Sequence, residues 1–219
     1  MKTFLYWWED EFEPEKWKNP FKKVKAPKNP RKPLEPAGIQ IIQDILSTCK
    51  SNGFYDKRDK AIILALMDTG VRASELINMD LNDIDIISGE ILIRRGKGGK
   101  FRNVFLGKKP RKAVRAYLRK RRTMSPALWI SKRGERVTYS TLRGILRRRS
   151  EKIGVEAPTL HSFRRFFALE MLRNGVDIFS LQKLMGHSDL QVLRNYLKQT
   201  KEDVKLAHIQ SGPVDHISF

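Results

Sequence analysis

One segment in the first third of the chain, YDKRDKAIILALMDTG, constrains the fold more than any other. Its second half, from Ala61 to Met67, is apolar on all sides, and Gly70 follows as a helix-stopping residue. A helix that is apolar all round is not a surface helix, because part of its apolar area would remain in water. The segment therefore predicts a buried helix inside a packed domain.

The segments around this helix predict a mainly α fold with a small three-stranded antiparallel β-sheet, the α+β class. Apolar residues recur at helical spacing, with proline or glycine near the segment ends. Three short extended runs are joined by SG and GKGG, which are typical of hairpin turns. The predicted helices cover residues 36–53, 55–70, 72–79, 109–122, 139–152, 161–174, 178–185, 190–198 and 202–208, and the predicted strands cover 84–86, 90–95 and 101–106.

The first 35 residues differ in composition from the rest of the chain. Residues 1–18 carry three tryptophans and an acidic run, as in the end of an amphipathic helix. Residues 19–35 place prolines among lysines and arginines, which blocks helix and favours extended chain. We expect a basic linker at 19–35 that can lie along a phosphate backbone, and one compact domain with a tail helix at 36–219.

The charge of the chain predicts a polyanionic partner. The net charge is +20, from 44 lysines and arginines against 24 aspartates and glutamates. Between Ile91 and Gly134 there are sixteen basic residues and no acidic one. A solvated surface explains this run less well than a phosphate-backbone footprint, since the run crosses strands, a helix and loops. An anionic membrane is the alternative, but no apolar run reaches the ~18 residues that a membrane span needs.

Cysteine usage and the N-terminus indicate the compartment. Cys49 is the one cysteine, so no intramolecular disulfide can form, which fits a reducing cytoplasm. The opening MKTFLYWWEDEFE turns acidic too early for a secretory signal. No Cys/His cluster has zinc spacing, and no acidic cluster suits a divalent cation. We expect a cytoplasmic protein with a polyanionic partner, of which nucleic acid is the commonest.

Two motifs in the first half of the chain carry candidate site residues. In DTGVRASEL, Arg72 opens a helix and Glu75 lies one turn later. This is either an ordinary ion pair or a guanidinium held by Glu75 and directed at a phosphate. The hairpin tip GKGGK carries Lys97 and Lys100, which are either solubility features or ammonium groups placed in a DNA groove. The tip is no Walker P-loop, because the GxxxxGK[ST] spacing is absent.

Two further motifs lie nearer the C-terminus. In HSFRRF, His161 and Arg164 are three residues apart, so on a helix they share a face. In GHSDLQVLRNY, His187 precedes a short helix and Tyr196 lies in its last turn. Taken singly, such a His–Arg pair is more often surface decoration and such a tyrosine a packing residue. The order of all the motifs along the chain carries more information than any one of them.

This ordered set resembles the tyrosine recombinase (phage integrase) family, and in particular its Xer-like members. An arginine with a glutamate three later, a hairpin lysine, HxxR, and GH with a tyrosine nine residues after the histidine follow one another as in that family. The resemblance spans residues 35–200. Many relatives have HxLRH where this chain has Arg165 in the last position. The resemblance implies that residues 1–18 are the remnant of an N-terminal helical, core-binding domain.

The resemblance also implies a role for each residue of the set. Tyr196 would attack a DNA phosphodiester and leave a 3′-phosphotyrosyl bond with a free 5′-hydroxyl. Lys97 would protonate the leaving oxygen, and His161 would take the tyrosine's proton or orient the phosphate. Strands would then be exchanged and rejoined without metal, ATP or any other cofactor. The implied partner is double-stranded DNA, and the protein would be associated with the nucleoid. The remaining phosphate ligands would be Arg72, Arg164 and His187, with Glu75 in support.

Basic residues outside this set are candidates for contacts with the DNA backbone. They are Arg94, Arg95, Lys100, Arg102, Arg147, Arg148 and Arg165. After Tyr196, the apolar residues Leu206, Ala207 and Ile209 favour a tail helix. In relatives such a tail docks on a neighbouring subunit, which would give a homotetramer on DNA and a monomer when free. Packing of the tail on its own domain is equally compatible with the sequence.

Other functions remain open from the sequence. A type IB topoisomerase uses a similar set of residues but relaxes DNA without exchanging partners; the spacing from GH to tyrosine and the integrase-like linker favour the recombinase. A non-catalytic DNA-binding or architectural protein would keep the basic surface and lose members of the set, and all six catalytic candidates are present. A helix-turn-helix regulator would explain the charge but not the ordered set.

Overall fold

The computed structural model describes residues 2–12, 19–20, 22, 36–94 and 101–186, with isolated positions in the tail. The chain divides into two units, Met1–Pro33 and Leu34–Phe219. In the first unit, helix α1 (Lys2–Phe12) contains a tilted contact between Phe4 and Trp7, with ring centroids 5.7 Å apart. Most of the predicted linker at 19–35 lies outside the described residues.

The second unit is mainly helical with one small antiparallel sheet, which confirms the predicted fold class. Strands β1 (Glu90–Ile93) and β2 (Arg102–Phe105) pair with Ile91 opposite Val104. The predicted helix at 190–198 and most of the one at 202–208 lie outside the described residues. The helices are α2 (Ile39–Ser47), α3 (Phe54–Thr69), α4 (Ala73–Ile77), α5 (Lys108–Leu118), α6 (Tyr139–Glu151), α7 (Leu160–Arg173) and α8 (Ile178–Met185), with a 3₁₀ turn at Leu81–Asp83.

Within the described residues the sheet has two strands where the sequence predicts three. Ile84 alone forms a bridge with Ile91, and the chain then turns. The Asp85 carboxylate accepts hydrogen bonds from the Ile87 amide at 2.8 Å and from the Ser88 hydroxyl at 2.7 Å. A side chain that binds the backbone two residues later favours a turn over extended chain. The third strand is therefore reduced to a single bridging residue.

Helix α3 lies at the centre of the second unit, as its apolar sequence predicts. Apart from Leu64, its side chains from Ala61 to Leu66 are at most 1% exposed. Helices α5 and α7 make the most extensive contacts with it. The helix ends at Gly70, whose φ of 57° is left-handed, and a Cβ there would lie 2.2 Å from Cδ1 of Phe167. Glycine thus permits both the turn and the close approach of α7.

Within the described residues, the apolar core consists of two clusters. In the large one, the Tyr117 ring stacks on Trp129 at 5.6 Å, and the Tyr117 hydroxyl donates to the Leu128 carbonyl at 3.0 Å. The small cluster joins Phe167 and Ala168 of α7 to Leu181 and Met185 of α8. Helix α8 is therefore attached to the unit by a few apolar side chains of its own.

A buried ionic network joins α2, α3 and α6. Arg149 is 4% exposed and donates to Asp59 at 2.9 and 2.7 Å, to Asp56 at 2.7 Å and to the Thr48 carbonyl at 3.1 Å. Arg58 binds the other oxygen of Asp59 at 2.8 Å. Burial alone would raise the pKa of Asp56, but hydrogen bonds, first among them from Arg149, outweigh it and lower the pKa. The Asp56 carboxylate therefore remains a charged partner of Arg149.

We predict that Arg149→Met lowers the free energy of unfolding by about 3–5 kcal/mol, because buried Asp59 keeps only Arg58 and Asp56 loses its positive partner. Arg147→Met on the same helix is the matched control. Its pair with Glu151 is 3.5 Å long, with side chains 72% and 63% exposed. That change should alter the free energy of unfolding by less than about 0.5 kcal/mol. Urea denaturation at pH 7 measures both variants, and equal losses would contradict the structural importance of the network.

Candidate active site

Arg72 lies where α3 gives way to α4. The left-handed turn at Gly70 ends α3, and Arg72 becomes the N-cap of α4. Its backbone N–H donates to Oε2 of Glu75 at 2.7 Å, and its Nη1 donates to Oε1 at 2.9 Å. A carboxylate in the first turn satisfies an amide that the helix leaves unpaired. The arginine is therefore fixed through backbone and side chain, while 33% of the side chain stays exposed.

Glu75 is the buried anion of this region. Its side chain is 2% exposed and also accepts two hydrogen bonds from Arg102 of β2, at 2.9 Å to Oε1 and 2.8 Å to Oε2. Burial alone would raise the pKa of Glu75, but hydrogen bonds from Arg102 and from the Arg72 amide outweigh it and lower the pKa. The carboxylate therefore stays ionised at neutral pH and fixes two guanidinium groups.

Helix α7 begins after the N-cap Thr159 and carries His161 and Arg164 three residues apart. The Arg164 side chain is buried, and the residue is 2% exposed. Its Nη1 donates to the Gly70 carbonyl at 2.6 Å, and its Nη2 donates to the Met185 carbonyl at 2.6 Å. Arg164 thereby ties α7 to the ends of α3 and α8, and both helix ends meet at this point.

The His161 imidazole is exposed and lies in the field of nearby guanidinium groups. Partial burial lowers the pKa of His161 below its ordinary value of 6.5, and the positive charges of Arg165, Arg164 and Arg72 lower it further. This coupling brings residues of α4 and α7 into one electrostatic neighbourhood. The neutral imidazole predominates at pH 7, so it is able to accept a proton.

The structure brings four of the predicted site residues together: Arg72, Glu75, His161 and Arg164. Three of the catalytic candidates lie outside the described residues, namely Lys97, His187 and Tyr196. Two of the candidates for backbone contacts, Arg95 and Lys100, do so as well. The continuous described chain ends at Gly186, one residue beyond the Met185 carbonyl that Arg164 binds. The C-terminal end of α8 therefore lies beside Arg164.

The other candidates for DNA-backbone contacts differ in their placement. Arg147 and Arg148 are exposed on α6, and Arg165 is half-buried on α7. Arg94 is 54% exposed but forms an ion pair with the buried carboxylate of Asp83. The exposed guanidinium groups of α6 are the ones best placed to meet a partner from solvent.

Arg102 lies elsewhere than expected for a backbone contact. Its side chain is 11% exposed, and its guanidinium is directed inward to Glu75 and to the Leu184 carbonyl, the latter at 2.9 Å from Nε. Residues two apart in a strand share a face, and Val104 is fully buried. The alternation of inward and outward side chains along the strand could have predicted that Arg102 points inward. The many basic residues near it in the sequence favoured a surface role instead.

A groove of about 590 Å³ opens beside the start of α7. Tyr139, Arg143 and Arg147 of α6 line one side, and Pro158 and Thr159 line the other. In the part of the chain that the structure describes, no three His, Cys, Asp or Glu side chains form a group able to hold a metal ion. None of the helices described there has the length and apolar character to cross a bilayer.

The chain is similar to known proteins in both sequence and structure. The family model of the phage integrase family matches residues 40–203. Tyrosine recombinase XerA of Thermococcus kodakarensis is 36% identical over 198 residues, which cover 89% of this chain and 69% of the relative. XerA of Pyrococcus furiosus is 33% identical, over 89% of this chain and 65% of the relative. The chain thus spans about two thirds of the length of these curated relatives.

Solved structures give the same result. A crystal structure of XerA recombinase matches with a TM-score of 0.70 and 29% identity, over 82% of this chain and 66% of that chain. The Tn1549 transposon integrase in complex with a circular intermediate DNA matches with a TM-score of 0.74 over 95% of this chain and 76% of that chain, at 20% identity. At that identity the likeness concerns the fold alone. With the family model matching most of its length, the chain belongs to the phage integrase family, that of the tyrosine recombinases.

Proposed function

We propose that the chain is the catalytic part of a site-specific recombinase that cleaves and rejoins double-stranded DNA. The observation that carries the proposal is the meeting of Arg72, Glu75, His161 and Arg164 where α3, α4 and α7 join. A DNA partner is supported by the net charge of +20 and by the DNA bound to the related Tn1549 integrase.

In this proposal, two guanidinium groups hold the scissile phosphate. Arg72 is fixed by Glu75, and Arg164 is fixed by the carbonyls of Gly70 and Met185, so both are positioned before DNA arrives. Charges positioned in advance stabilise the negative charge of the transition state, and losing one such donor typically costs ~10²–10³ in rate. The charge that a divalent metal supplies in other phosphoryl-transfer enzymes comes here from side chains, and cleavage should proceed in EDTA.

Tyr196 is the proposed nucleophile. Its phenolic oxygen bonds to phosphorus, the bond from phosphorus to the 5′-oxygen breaks, and Lys97 gives that oxygen a proton. A phenol with a pKa of ~10 is barely ionised at pH 7, so it needs a base. Neutral His161 accepts the phenolic proton, and His187 donates a hydrogen bond to the phosphate. The entering phosphate offsets nearby positive charge and raises the pKa of His161, which makes the imidazole a stronger base once DNA is bound.

Rejoining is the reverse reaction. A 5′-hydroxyl attacks the phosphotyrosyl bond and releases Tyr196, so the energy of the phosphodiester is kept and ATP is not needed. Exchange requires a second DNA partner and therefore several subunits. We include in the proposal a homotetramer on DNA, linked by exchanged C-terminal tails, and a monomer when free. Residues 1–18 are proposed to belong to a core-binding domain, and residues 19–35 to a linker.

We predict that Tyr196→Phe abolishes the covalent adduct with DNA, because the nucleophilic oxygen is lost. Tyr55→Phe, near the far end of α3 from Arg72 and 43% exposed, is the control and should form the adduct at the wild-type rate. Binding of both variants should stay within a few-fold of wild type. A pool of nicked, partly randomised duplexes in EDTA, resolved on denaturing protein gels, measures adduct formation.

The outcomes of this trapping experiment distinguish the recombinase from the alternative functions. An adduct that persists in Tyr196→Phe would exclude that residue as the nucleophile. Salt-sensitive DNA binding without any adduct from the wild type, even with a relative's core-binding domain fused to the N-terminus, would favour a non-catalytic DNA-binding protein. Cleavage and resealing without transfer to a second duplex would favour the topoisomerase-like alternative.

We also predict that Arg165→Gln raises the pKa of His161, because one of the charges that disfavour the imidazolium form is removed. The base would then protonate at higher pH, so the acidic limb of the cleavage rate should move to higher pH. Arg173→Gln is the control at the other end of α7, where Arg173 pairs with Glu170. NMR titration of the imidazole measures the shift, and an unchanged pKa would contradict the electrostatic description of the site.

A further inference from the structure

The guanidinium group of Arg102 joins three parts of the domain. From β2, its Nη1 and Nη2 bind the two oxygens of Glu75 in α4 at 2.9 and 2.8 Å. Its Nε donates to the Leu184 carbonyl in the last turn of α8 at 2.9 Å. This is the bidentate geometry that a lysine cannot reproduce. All three nitrogen atoms of Arg102 donate to protein groups, and 11% of its side chain is exposed.

The last turn of α8 is held by two arginines. The Leu184 carbonyl accepts from Arg102, and the Met185 carbonyl accepts from Arg164 at 2.6 Å. These carbonyls belong to the group that a helix leaves without internal partners, and they carry its partial negative charge. Gly186 follows with a left-handed φ of 63°, and a Cβ there would lie 3.0 Å from Nη1 of Arg102. Arg102 therefore packs against the turn through which the chain leaves α8.

Among the described residues, helix α8 is otherwise attached mainly through the small apolar cluster. It has eight residues, too few for a helix to be stable by itself in water. Its buried side chains, Leu181 and Met185, pack in the small cluster with Phe167 and Ala168. The position of its C-terminal end therefore depends strongly on the two guanidinium contacts.

We propose that Arg102 is a positioning residue that couples the end of α8 to Arg72 through Glu75. Oε1 of Glu75 accepts from Nη1 of Arg72 and from Nη1 of Arg102, each at 2.9 Å. When the Leu184 carbonyl moves away, the Arg102 guanidinium loses one anchor, and the carboxylate that holds Arg72 moves with it. Arg72 consequently keeps its pose only while α8 is docked.

The consequence for catalysis rests on the proposed function. The segment after Gly186 contains His187 and Tyr196, so the end of α8 sets where that segment begins. Coupling through Arg102 means that the arginine proposed to hold the phosphate is ordered when the chain carrying the nucleophile is in place. The contacts themselves concern the free protein, and they can be tested without DNA.

Amide hydrogen exchange in the free protein tests the coupling. The Gly186 amide donates to the Lys183 carbonyl at 3.1 Å, and the Arg72 amide donates to Glu75 at 2.7 Å. Arg102→Lys keeps the charge and loses the fork, so both amides should exchange about tenfold faster through local opening. Arg115→Lys is the matched control, because the Arg115 guanidinium on α5 also donates to a backbone carbonyl, that of Ile86, at 3.1 Å. This change should leave both exchange rates within about twofold of wild type.

A second variant perturbs the coupling from its other end. Glu75→Gln removes the charge that Arg102 binds, and because coupling between sites is reciprocal, the Gly186 amide should again exchange faster. If Arg102→Lys does not fold, Glu75→Gln alone tests whether the end of α8 is coupled to Glu75. If Arg102→Lys speeds exchange of the Gly186 amide but not of the Arg72 amide, Arg102 only stabilises the end of α8, and the coupling is wrong. Unchanged exchange at both amides would also contradict the coupling.

The cleavage assay separates positioning from DNA contact. For Arg102→Lys at saturating DNA, we expect the rate of adduct formation to fall about 10–100-fold, as for other losses of preorganised geometry. The dissociation constant and its salt dependence should not change. The variant Arg102→Gln tests the alternative of a phosphate contact. Weaker DNA binding, a slope of log affinity against log salt reduced by about one, and a normal cleavage rate at saturating DNA would identify such a contact. If the wild type itself forms no adduct, the proposed function fails, and the exchange rates still decide the coupling.

Discussion

The structure around the candidate site depends on one buried carboxylate, that of Glu75. A carboxylate that is 2% exposed remains charged only where opposite charge and hydrogen bonds offset the loss of water, and here two guanidinium groups and an amide do so. The same contacts order Arg72 at the start of α4 and hold β2 against it. Without this anion, two arginines would repel each other at the centre of the domain, and neither would have a fixed direction.

Arginines bound to backbone carbonyls recur throughout the second unit. The positions of basic residues in the sequence therefore do not show which of them are available to bind a polyanion. Arg136 donates to the carbonyls of Ile77 and Met79 at 2.8 and 3.1 Å, and Arg121 donates to the Ala127 carbonyl at 2.9 Å. Both lie in regions of high positive charge in the sequence. Their guanidinium groups close loops and helix ends, and the groups free to meet a polyanion are a smaller set, such as those exposed on α6.

Local patterns in the sequence predicted the helices well and tertiary contacts poorly. The apolar run of α3 and the Arg72–Glu75 pair are local features, and both predictions agree with the structure. The strand predicted at 84–86 was wrong beyond Ile84, because the Asp85 side chain binds the following turn and period-two patterning does not register such bonds. The inward direction of Arg102 depends on α4 and α8, which are distant in sequence, so composition alone suggested a surface role.

The separation of the two apolar clusters has an evolutionary consequence. The side chains that attach α8 belong to the small cluster, whereas α3, the sheet and α5 are stabilised by the large one. Substitutions at Leu181 or Met185 change the packing of the small cluster, to which no residue of α3 or α5 belongs. Selection can therefore strengthen or weaken the attachment of α8 through residues that lie outside the large cluster. A lineage could in this way tune how firmly the end of α8 is held while its central fold stays the same.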